Sequence, residues 1–245
     1  MEFGPFFLGA CTVLAATSLG AAGVFLFKKI EGRAFALIVS FSAGVMSFSA
    51  LEMVIQANGL AGPAVAVGCL FAGVVAFYLV DLLMPHVHLA LGGGEMHDSK
   101  RKVAMLVGTI TLHNVPEGFA VASAFAGSSP LGWLITMTIA LQDIPEGLLV
   151  SAPVASYGVA TRHSFIWGVF SGVVEFGGAL FGYVFLRYVT IATPWALGFS
   201  AGAMTYVVLS ELLPDALRTG NRLVAVAAFV IGFAGAWGFG LLFIH

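Results

Sequence analysis

Charge is what this chain has least of. Ten Lys and Arg and twelve Asp and Glu make up 9% of its 245 residues, while 60% are hydrophobic. A water-soluble domain carries about a quarter charged residues, so that class is excluded. Residues 3–27 hold no Asp, Glu, Lys or Arg, and neither do residues 53–80. Each run exceeds the roughly 20 residues that a helix needs to cross a bilayer. Ten-residue alternating segments, the mark of a transmembrane barrel, are missing as well. Cysteine is scarce too: Cys11 and Cys69 each sit in an apolar run, which argues for buried thiols rather than a disulfide. The net charge of −2 says little about partners, and no nucleic-acid partner is expected.

What is present reads as an all-α polytopic membrane protein forming a single transmembrane domain over residues 1–245. Eight helices are expected at about 5–27, 34–56, 61–84, 103–125, 131–153, 164–186, 193–214 and 222–243. No basic residue precedes the first run, and Lys28 and Lys29 follow it. It is therefore expected to remain as the first helix rather than act as a cleaved signal. Residues 85–102, with a Gly triplet and mixed charges, read as a flexible cytoplasmic loop.

Basic residues set the expected orientation. Lys28, Lys29, Arg33, Lys100, Arg101, Lys102, Arg162, Arg218 and Arg222 share one face under eight spans, and Arg187 alone falls on the other. That face is then cytoplasmic, with both termini outside a cytoplasmic (plasma) membrane. "FSAGVMSFSALE" (41–52) resembles "FSAGAMTYVVLSE" (199–211), on helices that cross in opposite directions. Such pairs point to inverted repeats in a 3+2+3 plan.

Two polar clusters interrupt the apolar helices. "HNVPEG" places His113, Asn114 and Glu117 on helix 4; "QDIPEG" places Gln142, Asp143 and Glu146 on helix 5. Both follow i, i+1, i+4 spacing, which gathers three side chains on one helical face. Two such helices side by side aim six ligand atoms at one place. Pro116 and Pro145 free the carbonyls of Leu112 and Leu141, and Gly118 and Gly147 permit close helix approach. Helix 6 adds Glu175. Glu117, Asp143, Glu146 and Glu175 sum to −4, a charge that two divalent cations balance; with one, protons must make up the difference. At the cytoplasmic ends, Asp81, His86 and His88, with Glu211 and Asp215, read equally as an ion exit station or as ordinary interfacial polar groups. Glu52, on the outer half of helix 2, is a candidate to line an outer vestibule. Met46 reads first as packing. No H-E-x-x-H occurs, and Asn114 stands where a zincin would carry its catalytic Glu, so an enzyme is not expected. A membrane protein that binds metal as a sensor or structural subunit is the alternative.

"HNVPEG" followed by "QDIPEG" in adjacent helices resembles the signature of the ZIP (Zrt-, Irt-like) metal transporters, and with "DLLMPHVH" the GufA-like branch. The likeness implies uptake of a divalent metal into the cytoplasm through a binuclear site. Zinc is foremost, with cadmium, iron or manganese as further cargo, and no resident cofactor. It implies metal ligands at His113, Asn114, Glu117, Gln142, Asp143, Glu146 and Glu175, with Met46 beside them, and an exit region at Asp81, His86, His88 and Glu211. It also implies a homodimer and an elevator-like motion of helices 1, 4, 5 and 6 against 2, 3, 7 and 8. Many members carry His-Asn where Gln142 and Asp143 stand here.

Overall fold

The computed structural model describes residues 1–83 and 99–244, with the side chains of 83, 99–112 and 243–244 excepted. The described residues form eight long helices: α1 (Phe3–Ala22, closed by a 3-10 turn Gly23–Phe25), α2 (Gly32–Ala61), α3 (Pro63–Leu83), α4 (Ser99–Gly127), α5 (Ser129–Ser156), α6 (Thr161–Tyr188), α7 (Thr190–Arg218) and α8 (Arg222–Ile244). All but α4 meet the length and hydropathy needed to cross a membrane among the described residues, and α4 is 29 residues long. His86 and His88 lie outside the described residues. The expected loop 85–102 is shorter than its sequence indicates, because α4 already begins at Ser99. Several other helices also overrun their expected ends, since polar residues at the bilayer surface extend a helix without any apolar signal.

Turn chemistry fits the helix ends. Gly62 adopts φ +84 between α2 and α3, a left-handed conformation that favours glycine, and Pro63 then opens α3. Ser128 caps α5 by accepting from the Leu131 amide at 3.2 Å. The packing is that of a membrane protein. Large apolar side chains such as Phe71, Phe181, Val226 and Ile231 are exposed, while Ala, Gly and Ser crowd the interior. Small residues let backbones approach where lipid offers no hydrophobic drive between helices. Most interior hydroxyls bond a carbonyl of the preceding turn, as Ser47 does to Ala43 and Ser123 to Phe119.

Four helix pairs carry the closest contacts, and glycine forms each of them. A Cβ on Gly44 of α2 would collide with the Phe229 carbonyl of α8, and one on Gly232 with the Phe41 carbonyl. The same contact recurs between α7 and α3: Gly202 meets the Leu70 carbonyl and Gly73 the Phe199 carbonyl. A second contact also occurs twice. Gly118 of α4 meets the Glu175 carbonyl of α6, with Gly178 on Val115; Gly147 of α5 meets the Thr17 carbonyl of α1, with Gly20 on Ile144. Helices 1–3 therefore repeat as 6–8, and α4 repeats as α5, which is the 3+2+3 inverted arrangement. Helices α1, α4, α5 and α6 pack together, α2, α3, α7 and α8 pack together, and α4–α7 and α2–α5 join the two groups.

The second copy of the repeated motif is one residue longer than the first. A π-helical turn at Val208–Leu212 inside α7 absorbs that residue. Such turns appear mostly singly inside α-helices, frequently at functional sites. Glu211, the last residue of the second copy, lies within that turn.

Gly44→Ala is expected to cost about 1–3 kcal/mol through backbone overpacking. Gly235→Ala, where a Cβ meets nothing within 4 Å, is expected to be neutral or slightly stabilising. Thermal denaturation of the detergent-purified protein checks both.

Candidate metal centre

Helix periodicity brings the acidic residues of α4 and α5 together as their spacing requires. Glu117, Asp143 and Glu146 each place one carboxylate oxygen within 4.8 Å of the others. Glu117 and Asp143 are 1% exposed and Glu175 is fully buried. Glu175 lies within electrostatic reach of Glu117, Asp143 and Glu146. Two unit charges at this spacing repel by roughly 3 kcal/mol at an effective dielectric of about 20. Positive charge must offset this, and no Lys or Arg pairs with these carboxylates among the described residues.

Hydrogen bonds fix which atoms remain free. Gln142 donates from Nε2 to Glu117 Oε1 at 2.8 Å, which turns its own oxygen away from that bond. Asn114 donates from Nδ2 to Ser171 Oγ at 2.9 Å and to the Ser171 carbonyl at 3.4 Å. A backbone carbonyl only accepts, so the amide nitrogen belongs at that end and Oδ1 is left for another partner. Five buried oxygens of the centre then lack any hydrogen-bond partner: Glu117 Oε2, Gln142 Oε1, Asp143 Oδ2, Glu146 Oε1 and Glu175 Oε1. Buried polar atoms are nearly always paired. Five orphan acceptors from three helices form a donor set suited to a cation that accepts oxygen ligands.

Not every expected ligand joins this group. His113 Nε2 lies 3.1 Å from Glu211 Oε1, so the imidazole links α4 to α7 and stands outside the carboxylate triad. Met46 is 2% exposed within the main apolar cluster. Asp81 accepts from the Tyr206 hydroxyl at 2.6 Å, and Asp215 pairs with Arg218 at 3.1 Å. Asp81 and Glu211 both lie within electrostatic reach of Tyr206, Asp81 bonded to its hydroxyl and Glu211 to the imidazole of His113.

Two residues were not legible as part of the centre. The Thr17 hydroxyl of α1 shares its one proton between the Val13 carbonyl at 3.0 Å and Glu175 Oε2 at 3.2 Å, and it stands beside Asp143 as well. Ser171 of α6 holds Asn114. A signal for Thr17 was present: Thr17, Gly20 and Ala21 repeat the spacing of Glu175, Gly178 and Ala179, and the two triplets make the same helix contacts. Thr17 is thus the repeat counterpart of Glu175. Residues that orient ligands commonly set metal affinity.

Comparison with known proteins agrees with this architecture. Residues 90–239 match the family described as ZIP Zinc transporter. The chain is 37% identical to "Zinc transporter GufA" of Myxococcus xanthus, covering 89% of this chain and 91% of that protein. It is 32% identical to "Zinc transporter ZupT" of Chlorobium chlorochromatii (strain CaD3), covering 92% and 93%. Human "Zinc transporter ZIP11" is 39% identical over 60% of this chain and 44% of its own length. The helical membrane architecture and these matches define a multi-pass membrane transporter rather than an enzyme. The chain belongs to the ZIP family and resembles its GufA members.

Thr17→Val removes the hydroxyl at nearly constant volume. It is expected to weaken metal uptake about tenfold in KM, while Thr17→Ser stays near wild type. Saturation curves in proteoliposomes check this, because a purely structural loss would lower Vmax without a selective rise in KM.

Proposed function

We propose that this protein carries divalent metal, zinc foremost, across the plasma membrane into the cytoplasm. The metal passes through a centre formed by Glu117, Asp143, Glu146, Gln142 and Glu175, with Asn114, His113 and Met46 around it. The observation that carries this reading is the set of five buried acceptor oxygens without partners. The names of the relatives support zinc as cargo. Oxygen donors dominate the set, and such ligands also accept cadmium, iron and manganese. The −4 charge of Glu117, Asp143, Glu146 and Glu175 supports a binuclear occupancy, since two divalent ions balance it.

The basic residues support the direction. Lys28, Lys29, Arg33, Arg162, Arg218 and Arg222 lie at or between the facing ends of α1–α2, α5–α6 and α7–α8, so that face is read as cytoplasmic and both termini as external. Asp81 and Glu211 lie toward the same face and serve as the exit region; His86 and His88 belong to that reading from sequence alone. Division of the helices into two packed groups supports movement of one group against the other.

Glu117→Ala and Asp143→Ala are expected to reduce zinc uptake into proteoliposomes to background, while Gln142→His alters the ratio of zinc to cadmium, iron and manganese flux with little change in folding. Wild-type flux of every metal through Asp143→Ala would exclude this centre. Metal binding by the wild type without flux would favour a sensor.

A further inference from the structure

We propose that Ser42 of α2 is a further ligand of the transported cation, supplying an oxygen from the α2 side to the ion that Gln142 and Glu146 hold from α5. This deepens the metal-centre reading above and rests on it. Interior hydroxyls of this chain mostly bond the carbonyl one turn back, as Ser47 and Ser49 of the same helix do to Ala43 and Val45. Ser42 departs from that habit. It is fully buried, and its Oγ has no hydrogen-bond partner. A buried hydroxyl without a partner is uncommon, so what it faces decides what it does.

Two contacts fix what α2 presents to α5. Toward the outer side, Ser49 donates to Thr138 at 2.8 Å. Toward the inner side, Val39 and Leu149 share one apolar cluster. The helices run antiparallel, and the two contacts agree on one register to within a residue. Ser42 falls between them. It lies seven residues inward from Ser49, two helical turns, so the two serines share a face. Seven residues inward from Thr138 lies Pro145, with Gln142 and Glu146 on either side of it. Ser42 therefore stands level with the polar turn of α5 and faces it. Three buried oxygens without protein partners meet there: Ser42 Oγ, Gln142 Oε1 and Glu146 Oε1. Each has lone pairs to give, and together they offer oxygen donors from two helices to one ion. No Lys or Arg pairs with Glu146 among the described residues.

The repeat supplies its own control. Ser200 of α7 holds the equivalent place in the second motif and is equally buried and unpaired. Its helix, however, meets α4 with Glu211 opposite His113 at 3.1 Å. Eleven residues outward along both helices, Ser200 stands about level with Ala124. There α4 buries Ala120, Val121 and Ala124, and residues 118–127 carry no carboxylate. The same serine thus faces ligands in one copy and alanines in the other.

The test uses the detergent-purified full chain in a Cys11→Ser, Cys69→Ser background, with cadmium as the probe and monodisperse size-exclusion profiles as the check on folding. Ser42→Cys is expected to give a thiolate-to-cadmium charge-transfer absorption at cadmium levels that fill the background protein, because thiolate is a preferred ligand of such soft ions. Ser200→Cys is expected to give none. By calorimetric titration, Ser42→Ala is expected to weaken cadmium binding about tenfold and Ser200→Ala by less than about twofold. Folded Ser42→Cys protein that binds cadmium without the band overturns the proposal, as does unchanged affinity in Ser42→Ala. An equal band in Ser200→Cys also overturns it, since capture by any buried thiol would then suffice. Failure of the background protein to bind cadmium at all would instead overturn the metal-centre reading.

Discussion

Glu117, Asp143, Glu146 and Glu175 share one buried region, and their mutual repulsion is the constraint around which the rest of the chain is arranged. Hydrocarbon screens it poorly, and no Lys or Arg side chain offsets it among the described residues. The helices that carry these groups must still pack tightly enough to exclude lipid from them. Glycine resolves the conflict at the points where it is sharpest. Gly118 rests on the carbonyl of Glu175, and Gly147 rests on the carbonyl of Thr17. The helix crossings therefore coincide with the residues of the centre, and the same crossings bring the hydroxyls of Thr17 and Ser171 within reach of Glu175 and Asn114. Backbone packing and ligand placement are one problem with one solution.

The repeat carries that solution twice and then departs from it where chemistry differs. His113 answers to Gln142, Asn114 to Asp143, and Glu175 to Thr17. In each pair one member brings a charge or a basic nitrogen and the other a neutral oxygen group, so a symmetric scaffold holds an asymmetric donor set. Ser42 and Ser200, another equivalent pair, are both fully buried with their hydroxyls unpaired. The π-helical turn shows how firmly the repeat is kept. One added residue would rotate everything beyond it by about 100° in a 3.6-residue helix, and the wider turn at Val208–Leu212, which includes Glu211, takes it up.

Much of this was written in the sequence because helical spacing translates directly into shared faces. The i, i+1, i+4 clusters with Pro and Gly placed Glu117, Asp143 and Glu146 on facing sides of α4 and α5, where the structure brings them together, and charge-free runs marked the spans. Segment ends were less legible: α4 starts at Ser99, and polar residues beyond the hydrocarbon carry no periodic mark. The rotation of His113 toward Glu211 was hidden, since a sequence states which face a side chain is on but not which neighbour it meets. Thr17 and Ser171 were hidden for another reason. Hydroxyls in apolar helices usually bond their own preceding turn, as Ser18 does to Leu14 and Thr17 itself does to Val13, and nothing local marks the one that also meets Glu175 or the one that accepts from Asn114.

The account stands on the claim that the orphan oxygens of Glu117, Gln142, Asp143, Glu146 and Glu175 are cation ligands. The most direct measurement is anomalous diffraction from crystals equilibrated with cadmium, which has ligand preferences close to those of zinc and a strong anomalous signal. The account predicts anomalous density between α4, α5 and α6, bonded to oxygens of Glu117, Asp143 and Glu146. Cadmium found only at surface residues, with water or protons alone satisfying those oxygens, would contradict it.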